Sequence, residues 1–244
     1  MSKAKASQLL MDQLQSQQLC QLIASFTGKV FREHFGKGPE SVVVSISHKF
    51  TTIYLRNFLI NSERVLLEQN HEPIIRQIRD QIMQRVIPEI TSYLKLVLGI
   101  EPEKLHYDWE FGSKNGMLVA IFPEVIGLNE PQPKEYPGKS ETEREMVRIS
   151  GRVQKEPLEI SSYEINPRTL LVLRRGVLGE LEKELIRLER GEILRDVKRR
   201  LEKGYITGSS QISSSLGRTI AECFMDWDEE LDQSITVIIT NPPR

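Results

Sequence analysis

A chain of 244 residues, 39% hydrophobic and 27% charged, has room for two domains of ordinary size with a core in each. Its formal charge of −1 leaves no global cationic field to hold a polyanion, which sets nucleic acid aside as a partner. No stretch is apolar for the roughly 18 residues that a membrane span requires, and the start of the chain has no apolar signal core, so a cytoplasmic protein is expected, peripheral to a membrane where it meets one and not integral to it.

Residues 1–18, rich in Gln and Ser with scattered Leu, suggest a frayed or partner-dependent helical lead-in. From Leu19 the apolar residues Leu22, Ile23, Phe26, Val30 and Phe31 recur at helical spacing, and the helix ends at Gly36-Lys37-Gly38-Pro39. Two strands follow, Ser41 to His48 with Val42, Val44 and Ile46 on one face, and Thr51 to Leu59. Asn61 or Ser62 can cap a short helix over Glu63 to Gln69. Pro73 suits the first turn of a long helix through Ile74, Ile78, Ile82, Ile90 and Val97, with a kink or break expected at Pro88 and an end at Gly99. Strands at Lys104 to Phe111 and Met117 to Phe122 flank a glycine-rich turn.

Residues 123–145, with four prolines among Glu, Lys and Asn, read as a linker. The second half opens with Met146, Val147, Ile149 and Val153, where Ser150-Gly151-Arg152-Val153 echoes Thr27-Gly28-Lys29-Val30. Strands are predicted at Leu158 to Tyr163 and Thr169 to Leu173, then one charged helix from Gly179 to Lys203 with Leu181, Leu185, Leu188 and Leu194 as its core stripe. Ser209 to Ser215 read as a flexible loop, and Thr219 to Asp228 and Ser234 to Thr240 as the last two strands.

The two halves carry one pattern about 118 to 119 residues apart. Ile53, Tyr54, Arg56, Leu59, Glu63 and Leu66 leading into Ile74, Ile75, Arg76 and Ile78 match Val172, Leu173, Arg175, Leu178, Glu182 and Leu185 leading into Ile193, Leu194, Arg195 and Val197. After a one-residue slip, Leu98-Gly99 matches Leu216-Gly217 and Asp108-Trp109 matches Asp226-Trp227. Trp109, Trp227, Gly99 and Gly217 are thus the structural anchors of a repeat. The order of helix, two strands, helices and two strands implies an α+β fold: two tandem copies of a helix-covered, mostly antiparallel sheet domain, at residues 19–122 and 146–240.

No nucleotide-binding glycine motif follows a strand, the four histidines are too scattered for a metal triad, and neither cysteine has CxxC spacing, so no metal, cofactor or catalytic residue is assigned. Cys20 and Cys223 read as buried thiols. His106 and Asp108 come to mind as an acid/base pair, but are read as lying on opposite faces of their strand. Gly36, Lys37, Gly38 and Pro39 read first as a glycine helix cap with a proline turn, and second as a recognition loop, since the second half lacks them. The charged helix offers a docking or coiled-coil surface for a protein partner.

The run from Gly28 to Phe35 into Gly36-Lys37-Gly38-Pro39, the strand pair, Leu59 to Leu66 with Glu63, and the long helix ending at Leu98-Gly99 together resemble the small bacterial family labelled MpsC. The resemblance covers residues 19 to 122, with residues 146 to 240 as a diverged second copy. It implies association with a sodium-translocating, membrane-potential-generating system linked to inorganic-carbon uptake, and it identifies no catalytic residues. The expected function is therefore a non-catalytic accessory or regulatory protein that contacts a protein partner, such as a membrane transport complex engaged in sodium or bicarbonate movement. The alternative is a small-molecule or anion sensor using a cleft between the two domains. Stacking of duplicated sheets also allows a homodimer.

Overall fold

The computed structural model describes residues 3–126 and 135–242, with side chains from residue 15 onward. The chain divides into two compact units, Met1–Glu130 and Pro131–Arg244. The first contains α1 (Lys3–Phe35), β1 (Ser41–Ser47), β2 (Phe50–Arg56), α2 (Asn61–Glu68), α3 (Glu72–Leu98), β3 (Lys104–Glu110) and β4 (Asn115–Ile121). The second contains α4 (Lys139–Val153), β5 (Glu159–Asn166), β6 (Thr169–Arg175), α5 (Glu180–Arg187), α6 (Gly191–Thr207), α7 (Ser210–Leu216), β7 (Ile220–Asp228) and β8 (Gln233–Thr240). Each unit holds one four-stranded antiparallel sheet, in the order β1-β2-β4-β3 and β5-β6-β8-β7. The architecture is α+β, with two units of similar design.

In the first unit α1 and α3 lie on one face of the sheet. Ile23, Val30 and Phe31 from α1, and Ile75, Met83, Val86, Ile90 and Leu94 from α3, bury against Ile53, Leu55, Leu105, Trp109, Leu118 and Ala120. The strand residues alternate because successive side chains point to opposite faces. Gly36 closes α1 and Gly99 closes α3 with φ of 73° and 76°, a backbone region open to glycine without a Cβ clash.

Strand register shows how closely the second unit follows the first. Leu55 on β2 pairs with Gly116 on β4, which pairs with Trp109 on β3; Arg174 on β6 pairs with Ser234 on β8, which pairs with Trp227 on β7. The turns recur as well. After α2, Asn70 has φ 60° and His71 donates its amide to the Leu66 carbonyl; after α5, Glu189 has φ 57° and Arg190 donates to Leu185. Gly217 takes φ 61° where Gly99 takes 76°.

Four expectations from sequence need correction. Pro88 neither ends nor divides α3, which is one helix of 27 residues. The break falls in the second unit, where the chain leaves α6 at Thr207, 119 residues after Pro88, and restarts as α7; the one-residue slip of the repeat lies in this stretch. Residues 209–215 are not a loop, because the Ser209 hydroxyl accepts the Ile212 amide at 3.3 Å and caps α7, which buries Ile212. The single charged helix is two, split by the left-handed Glu189, and its expected core stripe is only half realised: Leu181 and Leu188 are exposed and Leu185 and Leu194 half-buried, while Lys198, Glu202 and Ile206 are buried.

The fourth concerns residues 123–145, whose last seven residues form the start of α4, preceded by a buried Tyr136. Pro131 and Pro133 lie outside the described residues. Cys20 is only half-buried, and it forms no disulfide with Cys223.

The Trp109 ring crosses the backbone of Gly116 so closely that a β-carbon there would overlap it. Gly116→Ala should therefore lower stability by about 1–3 kcal/mol, read as a reduced denaturant midpoint. Gly112→Ala, where the new β-carbon meets only Glu110 Oε1 at 3.5 Å, should stay within about 0.5 kcal/mol of wild type.

Candidate functional site

The Gly36–Pro39 loop sits above a buried charged cluster that holds the first unit together. Its central group is the Arg79 guanidinium, fully buried on the core stripe of α3. Arg79 Nε donates to Glu63 Oε1 at 2.7 Å and Nη2 to Glu63 Oε2 at 2.6 Å, a two-pronged pairing in which planar guanidinium matches planar carboxylate. Nη2 also donates to the Phe58 carbonyl at 3.0 Å, and Glu63 Oε2 accepts the Ile60 amide at the start of α2 at 3.0 Å. The guanidinium lies 4.3 Å from the centroid of Trp109, 4.8 Å from Phe58 and 5.2 Å from Phe111, within cation–π range of all three. Phe31 meets Phe58 edge-on at 5.3 Å, which ties the end of α1 to the cluster.

The loop residues are woven into this arrangement. Gly36 is the left-handed cap, and Gly38 fits so closely against α1 that a β-carbon would stand 3.1 Å from the Gly28 carbonyl. Lys37 Nζ donates to the Leu59 carbonyl at 3.0 Å. The segment 57–60 is thus held by Lys37 on one side and by Arg79 on the other, and Phe58 further donates its amide to the Lys114 carbonyl at the β3–β4 turn. Lys37 is an exposed residue whose ammonium nevertheless bonds the backbone.

His106 and Asp108 are two residues apart on β3 and share a face, contrary to the expectation that they face apart. Both are buried, and Asp108 Oδ1 accepts from Arg76 Nη1 at 3.2 Å, while the same guanidinium grips Glu72 at 2.8 Å and the Trp109 carbonyl at 3.2 Å. These contacts make Asp108 a bracing carboxylate for the sheet edge.

The second unit holds a variant of the cluster. Lys198, 119 residues after Arg79, is buried with Nζ 5.3 Å from the Trp227 centroid. Burial pushes its pKa down, and the charges of Glu202 and Glu182 oppose that shift. Arg174 stands at the register position of Leu55, and Glu202 stands 119 residues after Met83. The two pair at 2.8 Å with no exposed surface on either side chain. An apolar pair of the first unit is an ion pair in the second.

Two concavities lie away from these clusters. One, about 650 Å³, runs between α4 and α7 and is lined by Glu141, Arg144, Glu145, Arg148, Ser210 and Ser214. Its buried Glu145 is already engaged: Arg148 bonds both oxygens and holds the carboxyl below its ordinary range, with Ser209 assisting at 3.0 Å. The other, about 420 Å³, is an apolar cleft of the first unit between Phe26, Pro88, Tyr93 and Leu96. Among the described residues no group of three His, Cys, Asp or Glu side chains is placed to hold a metal ion, and no helix is long and apolar enough to cross a membrane.

Sequence reasoning singled out Glu63 and Glu182 as repeated positions but missed their cationic partners. The signal was present: Arg79 sits in the series Ile75, Met83, Val86, Ile90 and Leu94, where a charge interrupts an otherwise apolar face. Removing one partner leaves a buried unpaired charge, so Arg79→Met and Glu63→Gln should each cost about 3–5 kcal/mol, whereas Glu63→Leu combined with Arg79→Met should recover most of that loss. Denaturant unfolding of the three variants checks this.

Residues 14–124 match the model of a protein family described as Na+-translocating membrane potential-generating system (MpsC). No curated protein and no solved structure matches the chain.

Proposed function

We propose that this protein is a non-catalytic accessory component of a sodium-translocating, membrane-potential-generating system, working from the cytoplasm through protein contacts. The family match over residues 14–124 carries the reading. It spans the first unit from within α1 to the end of β4, and so takes in the Arg79–Glu63 cluster and the Gly36–Pro39 loop together. The second unit, with the same strand order and a cation over an equivalent tryptophan, is taken as a diverged copy of the same domain.

Lys37 and its loop are the proposed contact in the first unit, since the bond to Leu59 fixes the exposed loop against the buried Phe58-Leu59 segment. A loop held in this way suits a binding surface because a rigid scaffold positions it. The second unit has no counterpart of Gly36 to Pro39, which assigns capture to the first unit alone.

Affinity capture from native lysate with detergent-solubilised membranes, read by mass spectrometry, tests the proposal. Wild-type bait should recover subunits of a sodium-translocating membrane complex. Lys37→Ala should lose about 1 kcal/mol of stability with its hydrogen bond, remain folded, and recover them poorly. Equal recovery by both would remove the loop from the account. If folded wild-type bait recovers no such complex, the accessory role is wrong, and a thermal-shift screen of small metabolites becomes the test of a sensor instead.

A further inference from the structure

The α5–α6 segment exposes a stripe that the fold of its own unit leaves uncovered. Leu181 and Leu188 on and beside α5, and Ile193, Val197, Leu201 and Tyr205 along α6, are all exposed, Leu181 at 72% and Ile193 at 63%. The α6 residues recur every fourth position, so they form one continuous ridge. This ridge is not the core face, which carries Lys198, Glu202 and Ile206, and α5 buries none of its side chains. Aliphatic residues on an open helix face favour association and are usually kept few. The first unit nevertheless has Ile74, Ile78 and Ile82, 119 residues before Ile193, Val197 and Leu201, with Ile74 and Ile78 also exposed.

Charge along the ridge selects the occupant. On one flank of α6 the acids Glu192 and Asp196 come first and the bases Arg200 and Lys203 follow, Asp196 also accepting from Arg199 at 3.0 Å and Lys203 Nζ also lying 5.6 Å from the Phe224 ring. A parallel two-fold neighbour would set this flank against the partner's opposite flank, which runs into the buried Lys198 and Glu202 side of the helix, and would leave its charges unmatched. An antiparallel one would set Glu192 and Asp196 against the partner's Arg200 and the partner's Lys203, and would lay Val197 on the partner's Leu201 and Ile193 on the partner's Tyr205. That is the self-complementarity of a two-fold interface. The segment interleaves its acids with bases, Glu180 paired with Lys183 and Glu184 with Arg187, so it presents no one-sign cationic face of the kind that holds an anionic lipid surface.

We propose that the α5–α6 face is a two-fold homodimer interface in which α6 packs antiparallel against α6 of a second copy of this chain. The dimer is independent of the transport-system reading, and either can fail without the other.

Sedimentation analysis of the full chain at concentrations up to about 100 µM tests it. Wild type should associate to a dimer. Val197→Glu and Leu201→Glu, at exposed positions where folding is retained and checked by circular dichroism melting, should be monomeric. Asp196→Arg alone and Arg200→Asp alone should each weaken the dimer by about tenfold, and the two together should restore it. A monomeric wild type, or a dimer that survives both glutamate variants, overturns the proposal. So does a monomer that pellets with phosphatidylglycerol vesicles and loses that binding in Val197→Glu, which would give the face to lipid.

Discussion

Placing a guanidinium where no water reaches it costs several kcal/mol unless it is paired and hydrogen-bonded, and the first unit does this at Arg79, where Nε and Nη2 bond Glu63 and the Phe58 carbonyl and aromatic rings cover the guanidinium. Meeting the cost requires Glu63 from α2, the carbonyl of Phe58 from the segment after β2, and the rings of Trp109 and Phe111 from the far edge of the sheet. Elements separated by up to 53 residues of chain, from Phe58 to Phe111, must therefore arrive together. Area burial alone would tolerate sliding between helix and sheet, whereas a two-pronged ion pair does not. The Gly36–Pro39 loop inherits its position from this cluster through Lys37 and Leu59.

The second unit solves the same geometric problem with different chemistry. Its tryptophan keeps a cation overhead, but Lys198 replaces the arginine, and a lysine ammonium lacks the planar fork that grips a carboxylate at two points. The tightest buried ion pair moves to Arg174 and Glu202, at positions that are leucine and methionine in the first unit. A pair of apolar side chains has thus been exchanged for a pair of opposite charges, a change that works only when both members change. The helices outside this pair are less deeply seated: α5 has no fully buried residue, and α6 exposes Ile193, Val197 and Leu201 while burying Ile206.

Most of the fold was legible because turns and strands are encoded locally. Gly99 and Gly217 mark left-handed caps, and the two Asp-Trp pairs mark equivalent strands, so the repeat emerged with its order of elements and its antiparallel sheets. What escaped was decided by tertiary partners. Pro88 sits within an unbroken helix, which local propensity does not foresee. The serines after Gly208 looked like loop until a single hydroxyl cap and a buried Ile212 made them helix. The leucines of α5 were assigned to the core on periodicity alone, yet the core of that unit takes Lys198 and Glu202. For the candidate site, the loop was visible as a motif, but its tie to Leu59 and the cluster beneath it depended on Arg79, whose partner lies 16 residues away on another helix.

The family match falls on residues 14–124, the first unit, which the buried Arg79–Glu63 pair holds together. Hydrogen exchange read by mass spectrometry, comparing wild type with Arg79→Met, tests the central claim most directly. If the buried ion pair binds distant elements into one cooperative body, protection should fall together in α2, residues 57–60, the start of α3 and β3, with β7 and β8 of the second unit unchanged. Loss confined to the turn of α3 around residue 79 would contradict it, and would make the cluster a local detail.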